Sequence, residues 1–210
     1  MSAFGKLTKR SGAVTTPGQQ ASWRTKLQNV TGATALSATR RRILYLLIDC
    51  SGSMADQGKL ESAKSGAARF SHDAAAKGYS TGIIAFSCEA VCLADPQDAA
   101  IDVAKVLYGV PASGSTDLTA ALTLAAKRLR ARSGERAVCI VTDGMPDDRA
   151  SAVRAAVALQ TSGVNIMALG TDDADKEFLD QIVTSKELAV KVPRQQLLEG
   201  VANMALLLPG

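Results

Sequence analysis

The stretch LIDCSGSM, Leu47–Met54, decides how the chain is read. An apolar run from Ile43 to Ile48 stops on Asp49, and Ser51 and Ser53 follow at alternate positions around Gly52. Apolar residues in a row, with no polar alternation, read as a strand buried on both faces, the kind found in parallel sheets. In an open α/β sheet, ligands bind beyond the carboxyl ends of the strands. Asp49 and the two serines therefore stand where such a fold does its chemistry.

The same pattern recurs at Gly82–Phe86, Ala137–Val141 and Val164–Leu169, and Leu188–Val192 reads as a last strand. Helical spacing fills the intervals. Leu60, Ala63, Ala67, Phe70 and Ala74 form one apolar stripe; Leu118, Leu122, Ala125 and Leu129 form a second; Ala150, Val153 and Val157 form a third. Two further helices are expected around Ala174–Val183 and Gln195–Leu207. Val91–Leu93 follows Gly82–Phe86 too closely for an intervening helix, so these two form a hairpin with an antiparallel edge strand. The expected fold is α/β and doubly wound: a mostly parallel central sheet, one antiparallel edge strand, and helices on both faces.

Two other loops share the chemistry of the first. VTDGMPDD, Val141–Asp148, places Asp143 just past a strand. SGSTDL, Ser113–Leu118, opens a helix and offers Ser115, Thr116 and Asp117. Each loop alone is ordinary, because Asp, Ser, Thr and Gly dominate turns. Three such loops at strand ends or helix starts converge carboxylates and hydroxyls on one rim. Oxygen donors without His or Cys select a hard cation, Mg²⁺ first, with Mn²⁺ or Ca²⁺ as alternatives. Hydroxyl ligands leave such an ion much of its positive field, so it can accept an acidic side chain from a partner.

Asp49-Cys50-Ser51-Gly52-Ser53, then Thr116 in SGSTDL, then Asp143 in VTDG resemble the motifs of the von Willebrand factor A domain, in its intracellular bacterial type. The resemblance covers about residues 43–210 and extends to GTDDADKEFLDQI, Gly170–Ile182, which is similar to a late segment of bacterial members. It implies a Rossmann-like fold with a metal-ion-dependent adhesion site. Ser51, Ser53 and Thr116 would ligate the metal directly, Asp49 and Asp143 would act mostly through water, and a partner's Glu or Asp would complete the octahedron. Cys50 occupies a position that varies in the family. Intracellular members often serve larger machines, among them chelatase-like partners of AAA+ ATPases, tellurite-resistance-type proteins, and ubiquitin-receptor and DNA-end-binding subunits.

Enzyme readings fare less well. GSMADQGK, Gly52–Lys59, is not a P-loop: five residues rather than four separate Gly52 from Gly58, and Leu60 stands where Ser or Thr is required. Ser51 as a nucleophile would need a base, and the single histidine, His72, lies twelve residues into a helix counted from Leu60, roughly 18 Å away and on its polar side. A phosphatase-like D-x-D is absent, since Ser51 replaces the second Asp. Asp147 and Asp148 follow Pro146 and are expected to stabilise a helix N-terminus.

Composition bounds the rest. At 210 residues and 47% hydrophobic content the chain suits one globular domain, and no apolar run approaches the length of a membrane span. Residues 1–42 hold eight Lys or Arg and no Asp or Glu, leaving sixteen basic residues against all twenty acidic ones in residues 43–210. The chain thus reads as a basic, acid-free N-terminal extension, 1–42, and a domain, 43–210. Trp23, Leu27 and Val30 would share a face of a short helix in that extension, which suits a flexible or docking arm, an anionic-surface contact, or a transit peptide. Cys50 and Cys139 read as buried thiols; Cys88 and Cys92 form a lone C-x3-C, short of the ligands zinc requires. Lys127, Arg128, Arg130 and Arg132 crowd a helix end without interleaved aromatics, which suits a helix dipole better than nucleic acid.

Together these readings predict a cytoplasmic, Mg²⁺-dependent protein-interaction module without catalysis of its own. Its partner would supply the acid, as in an AAA+ ATPase system or another multi-subunit assembly. A structural subunit held by its basic extension, or an Mg²⁺-dependent phosphoryl-processing enzyme, are the alternatives.

Overall fold

The structure is a computed structural model that describes residues 41–97, 101–171 and 173–209. The chain divides into two units, Met1–Thr39 and Arg40–Gly210, and the described residues belong to the second. The expected extension falls outside them except for Arg41 and Arg42.

The sheet has six strands: β1 Arg42–Asp49, β2 Tyr79–Phe86, β3 Ala90–Ala94, β4 Glu135–Thr142, β5 Asn165–Gly170 and β6 Ala189–Lys191. Their order across the sheet is β3-β2-β1-β4-β5-β6. All pairings are parallel except β2 with β3, the hairpin at one edge. The sequence therefore winds one way from β1 to β2 and the other way from β4 to β5. The switch point falls between β1 and β4, where ligands bind in open α/β sheets. In-register pairing of Ile48 with Val141 brings the ends of these two strands level.

Among the described residues, six α-helices flank the sheet: α1 Lys59–Ala76, α2 Val103–Leu107, α3 Leu118–Leu129, α4 Arg149–Thr161, α5 Lys176–Ile182 and α6 Leu197–Asn203. Alternate side chains of β1 point to opposite faces. Leu44, Leu46 and Ile48 join one core with α1, α2 and α6, while Ile43, Tyr45 and Leu47 join the other with α3, α4 and α5. This is why the β1 sequence is continuously apolar rather than alternating. No helix among the described residues is long and apolar enough to cross a membrane.

The expected stripes on α1 and α3 are buried throughout. The third is displaced. Ala152, Ala156 and Leu159 form the buried face of α4, and Val157 is 47% exposed. Two alanines let this helix lie close to the sheet, and periodicity read from the larger valines selects the wrong side. The sequence pattern also misses α2, only five residues long, and the last helix ends early in a 3₁₀ turn, Met204–Leu207.

Four of the described helices begin on aspartate. Asp102, Asp117, Asp148 and Asp175 each accept backbone N–H bonds from their own first turn, from Lys105, Ala120, Ser151, and Glu177 with Phe178. Such caps satisfy donors that the helix leaves unpaired. Helix α1 departs from the rule. It follows a 3₁₀ segment, Gly52–Gly58, starts on Gly58 in the left-handed region at φ 72°, and places Lys59 in its first position.

Close packing of α1 on α6 depends on Gly66. A methyl group there would stand 2.6 Å from the Leu198 carbonyl oxygen and 2.7 Å from the Val201 Cβ. A backbone carbonyl cannot swing aside as a side chain can. Gly66→Ala is therefore expected to destabilise by about 1–3 kcal/mol despite the better helix propensity of alanine, seen as a lower Tm in thermal unfolding.

Candidate functional site

The first rim loop leaves β1 at Asp49, whose carboxylate is fully buried. One oxygen accepts the Ser51 N–H at 2.8 Å and the other accepts the Thr142 hydroxyl at 2.6 Å. Asp49 is thus committed to shaping its own loop and joining it to the end of β4. Burial pushes its pKa above the ordinary carboxylate value, against the opposing effect of these hydrogen bonds, and the nearby Asp143 adds to the rise.

Asp49 turns the backbone so that Ser51 and Ser53 share a side, with their hydroxyl oxygens 3.1 Å apart. Ser53 Oγ donates to Asp143 Oδ1 at 2.7 Å. Asp143, 1% exposed, comes from the loop after β4. Three oxygens from two adjacent strand ends thereby form one chain.

Thr116 arrives on the second loop, which is laced to the first by backbone bonds. Gly52 N–H donates to the Gly114 carbonyl at 2.9 Å, and Ser113 N–H donates to that of Cys50 at 2.8 Å. Gly114 has φ 79°, and a Cβ there would lie 2.4 Å from the Cys88 sulfur, so only glycine fits this crossing. The third loop holds Thr116 from the other side. Asp147 Oδ1 accepts the Thr116 N–H at 3.1 Å, and Asp147 N–H donates to the Thr116 carbonyl at 3.0 Å. Asp147 is therefore a brace between loops and Asp148 alone caps α4, although the sequence pattern assigns both to the helix.

The residue that sequence reasoning misses is Lys59. Its side chain is only 4% exposed, and its ammonium group donates to Asp143 Oδ2 at 2.7 Å and to Asp173 Oδ2 at 3.1 Å. Burial works to lower its pKa, but the hydrogen bonds and charges of the two aspartates outweigh burial and raise it. The same contact holds the Asp173 carboxyl below its usual value. A signal is present in the sequence: a cation in the first turn of a helix opposes the helix dipole, so it requires a tertiary partner.

Other expectations resolve simply. His72 is exposed on α1 and pairs with its neighbour Asp73. Arg128 pairs with Asp95 at 2.8 Å, so part of the basic cluster serves the fold itself. The four cysteines are free thiols. Cys50 is buried and its thiol is pushed up to about 11, chiefly by desolvation, which keeps it protonated beside the rim.

Chemically, the rim offers two carboxylates and three hydroxyls rather than a cluster of His, Cys or further acids, and no group of three such residues gathers among the described residues. Neighbouring ligands of an octahedral Mg²⁺ stand roughly 3 Å apart, given bonds of about 2.1 Å. The 3.1 Å between the Ser51 and Ser53 hydroxyl oxygens fits that edge length, and the donor types fit a hard cation.

A doubly wound sheet with an antiparallel edge and hydroxyl-rich loops at its switch point defines the class. The von Willebrand factor type A domain model matches residues 44–203, and the chain belongs to that family. No curated protein matches the sequence. Solved structures with the same fold include the von Willebrand factor domain of the type V pili tip protein Mfa5 from Porphyromonas gingivalis, with TM-score 0.71 and 12% identity over 81% of this chain and 96% of that one. The pilus adhesin SpaC from Lactobacillus rhamnosus GG has TM-score 0.72 and 14% identity over 81% of this chain, which spans only 31% of SpaC. Manganese-loaded Plasmodium vivax TRAP has TM-score 0.65 and 18% identity over 79% of this chain and 74% of that one.

The raised pKa of Asp49 has a definite consequence for stability. In metal-free protein its ionisation opposes folding above the unfolded carboxylate pKa, and the penalty vanishes as pH falls below it. The stability of Asp49→Asn relative to the wild type should therefore rise as pH goes from 4 to 7, measured by thermal unfolding in EDTA.

Proposed function

We propose that the protein is a metal-dependent interaction module whose rim binds Mg²⁺, or Mn²⁺ or Ca²⁺ in its place, and through it an Asp or Glu of a protein partner. The observation that carries this reading is the convergence at the switch point of the Ser51 and Ser53 hydroxyl oxygens, 3.1 Å apart, with the Asp143 carboxylate hydrogen-bonded to Ser53. Ser51, Ser53 and Thr116 would hold the ion through their hydroxyls, with Asp49 and Asp143 acting mostly through water. The bound cation would supply a coordination position and positive charge for a carboxylate. The manganese in the similarly folded TRAP structure supports the same class of ion.

Catalysis is not part of this reading. The rim has no histidine, and the Ser51 and Ser53 hydroxyls bond each other and an Asp143 carboxylate that Lys59 already engages. On this reading the protein is a cytoplasmic subunit or adaptor of a larger machine, such as an AAA+ ATPase system.

Capture from native lysate tests the proposal, with bound proteins identified by mass spectrometry in Mg²⁺, in EDTA, and with Thr116→Ala. Thr116→Ala is a better rim variant than Asp143→Ala, because deleting Asp143 would strand the buried Lys59 ammonium. A partner lost in EDTA and in Thr116→Ala supports the metal rim. A partner retained in all three places the interaction on the basic extension or a helix face instead. Ser51→Ala and Thr116→Ala should each weaken Mg²⁺ binding about tenfold or more in calorimetry while leaving near-UV circular dichroism unchanged, because both side chains lie at the rim rather than in the core.

A further inference from the structure

Lys59 makes this rim more than a set of oxygen ligands, and its role there depends on the rim being a cation site. Its ammonium lies against Asp143 Oδ2 while Ser53 occupies Oδ1, so both oxygens of the carboxylate are engaged. Helix α1 supplies the lysine from its first position, and the loop after β5 supplies a second acceptor, Asp173, whose side chain is 55% exposed. Arg194 stands 3.9 Å from the same Asp173 oxygen.

We infer that Lys59 is a built-in counter-charge that holds down the affinity of the rim for a divalent cation. Without Lys59 an arriving cation would meet two carboxylates, Asp49 and Asp143. With it, one of those charges is already balanced at contact distance, in a site too dry to screen the repulsion between ammonium and metal. Asp173 gives the ammonium somewhere to turn when the cation draws on Asp143. The loaded rim then carries one more positive charge than the oxygen ligands alone would leave, and a partner's carboxylate neutralises it. Binding of cation and binding of acidic partner are thereby favoured together, and the coupling is reciprocal.

A purely structural ion pair makes a different prediction: losing it would lower stability and leave cation affinity flat. Lys59→Gln keeps a donor for Asp143 and removes the charge. Mn²⁺ titration of the full chain, followed by the electron paramagnetic resonance signal of the free ion, should show about tenfold or tighter binding by Lys59→Gln than by the wild type. Lys59→Gln combined with Asp173→Asn restores the wild-type net charge and should still bind tighter, which separates a local effect from overall charge. Adding Thr116→Ala should abolish the gain, locating the ion at the rim. Independently of any variant, the Lys59 ammonium resonance of the wild-type protein should move as Mg²⁺ saturates. Equal or weaker binding by Lys59→Gln, or a resonance unmoved at saturation, overturns the role of Lys59 while leaving the metal rim in place. No Mn²⁺ bound by either protein at millimolar concentration overturns both.

Discussion

A buried carboxylate is unfavourable unless donors or a cation meet it, and this domain buries two of them side by side at the ends of β1 and β4. The loops around the switch point can be understood as answers to that requirement. Asp49 is met by an N–H of its own loop and by the hydroxyl of Thr142 on the neighbouring strand. Asp143 is met by a serine from across the switch point and by an ammonium group from the start of α1. The two solutions differ in kind. Dipoles satisfy the first, while a full positive charge satisfies the second. On the proposed reading, the first carboxylate shapes its loop while the second would exchange the ammonium for a metal cation.

The requirement reaches outward into the fold. Lys59 can reach Asp143 because the 3₁₀ segment and the left-handed Gly58 turn the chain from β1 into α1 without an aspartate cap. Unlike α1, helices α3, α4 and α5 use aspartate caps at their N-terminal ends, which concentrates acidic groups on the same edge of the sheet. Asp147 adds to that edge but acts as a strut, so the loop carrying Thr116 is held by Gly52 on one side and by Asp147 on the other. A rim braced in this way presents its hydroxyls with little freedom left to lose on binding, which is what a preorganised site needs.

Much of this was legible in the residues. Continuous apolar runs announced strands buried on both faces, and each of them is a strand of the sheet, with the hairpin edge where the short interval demanded it. The resemblance brought the rim residues together from three distant loops, and the geometry places Asp49, Ser51, Ser53 and Asp143 in one hydrogen-bonded set with Thr116 on the adjoining loop. Where hydropathy patterns mislead, small residues are responsible. Alanines define the inner face of α4, and no hydropathy pattern favours them over the valines outside. Five residues are too few to show a period for α2.

By itself the sequence determined the strand-and-helix alternation, the strand ends at which polar residues gather, and the hard-oxygen character of the donors, because these depend on residue type and local spacing. Only the tertiary structure decided which acid meets which donor. Lys59 and Asp143 are 84 positions apart, and Asp143 and Asp173 come from loops after different strands. A lysine in a sequence is an exposed charge until the fold removes water from it. Here that burial depends on α1 starting beside the switch point, which is a property of the packed sheet and not of any one segment.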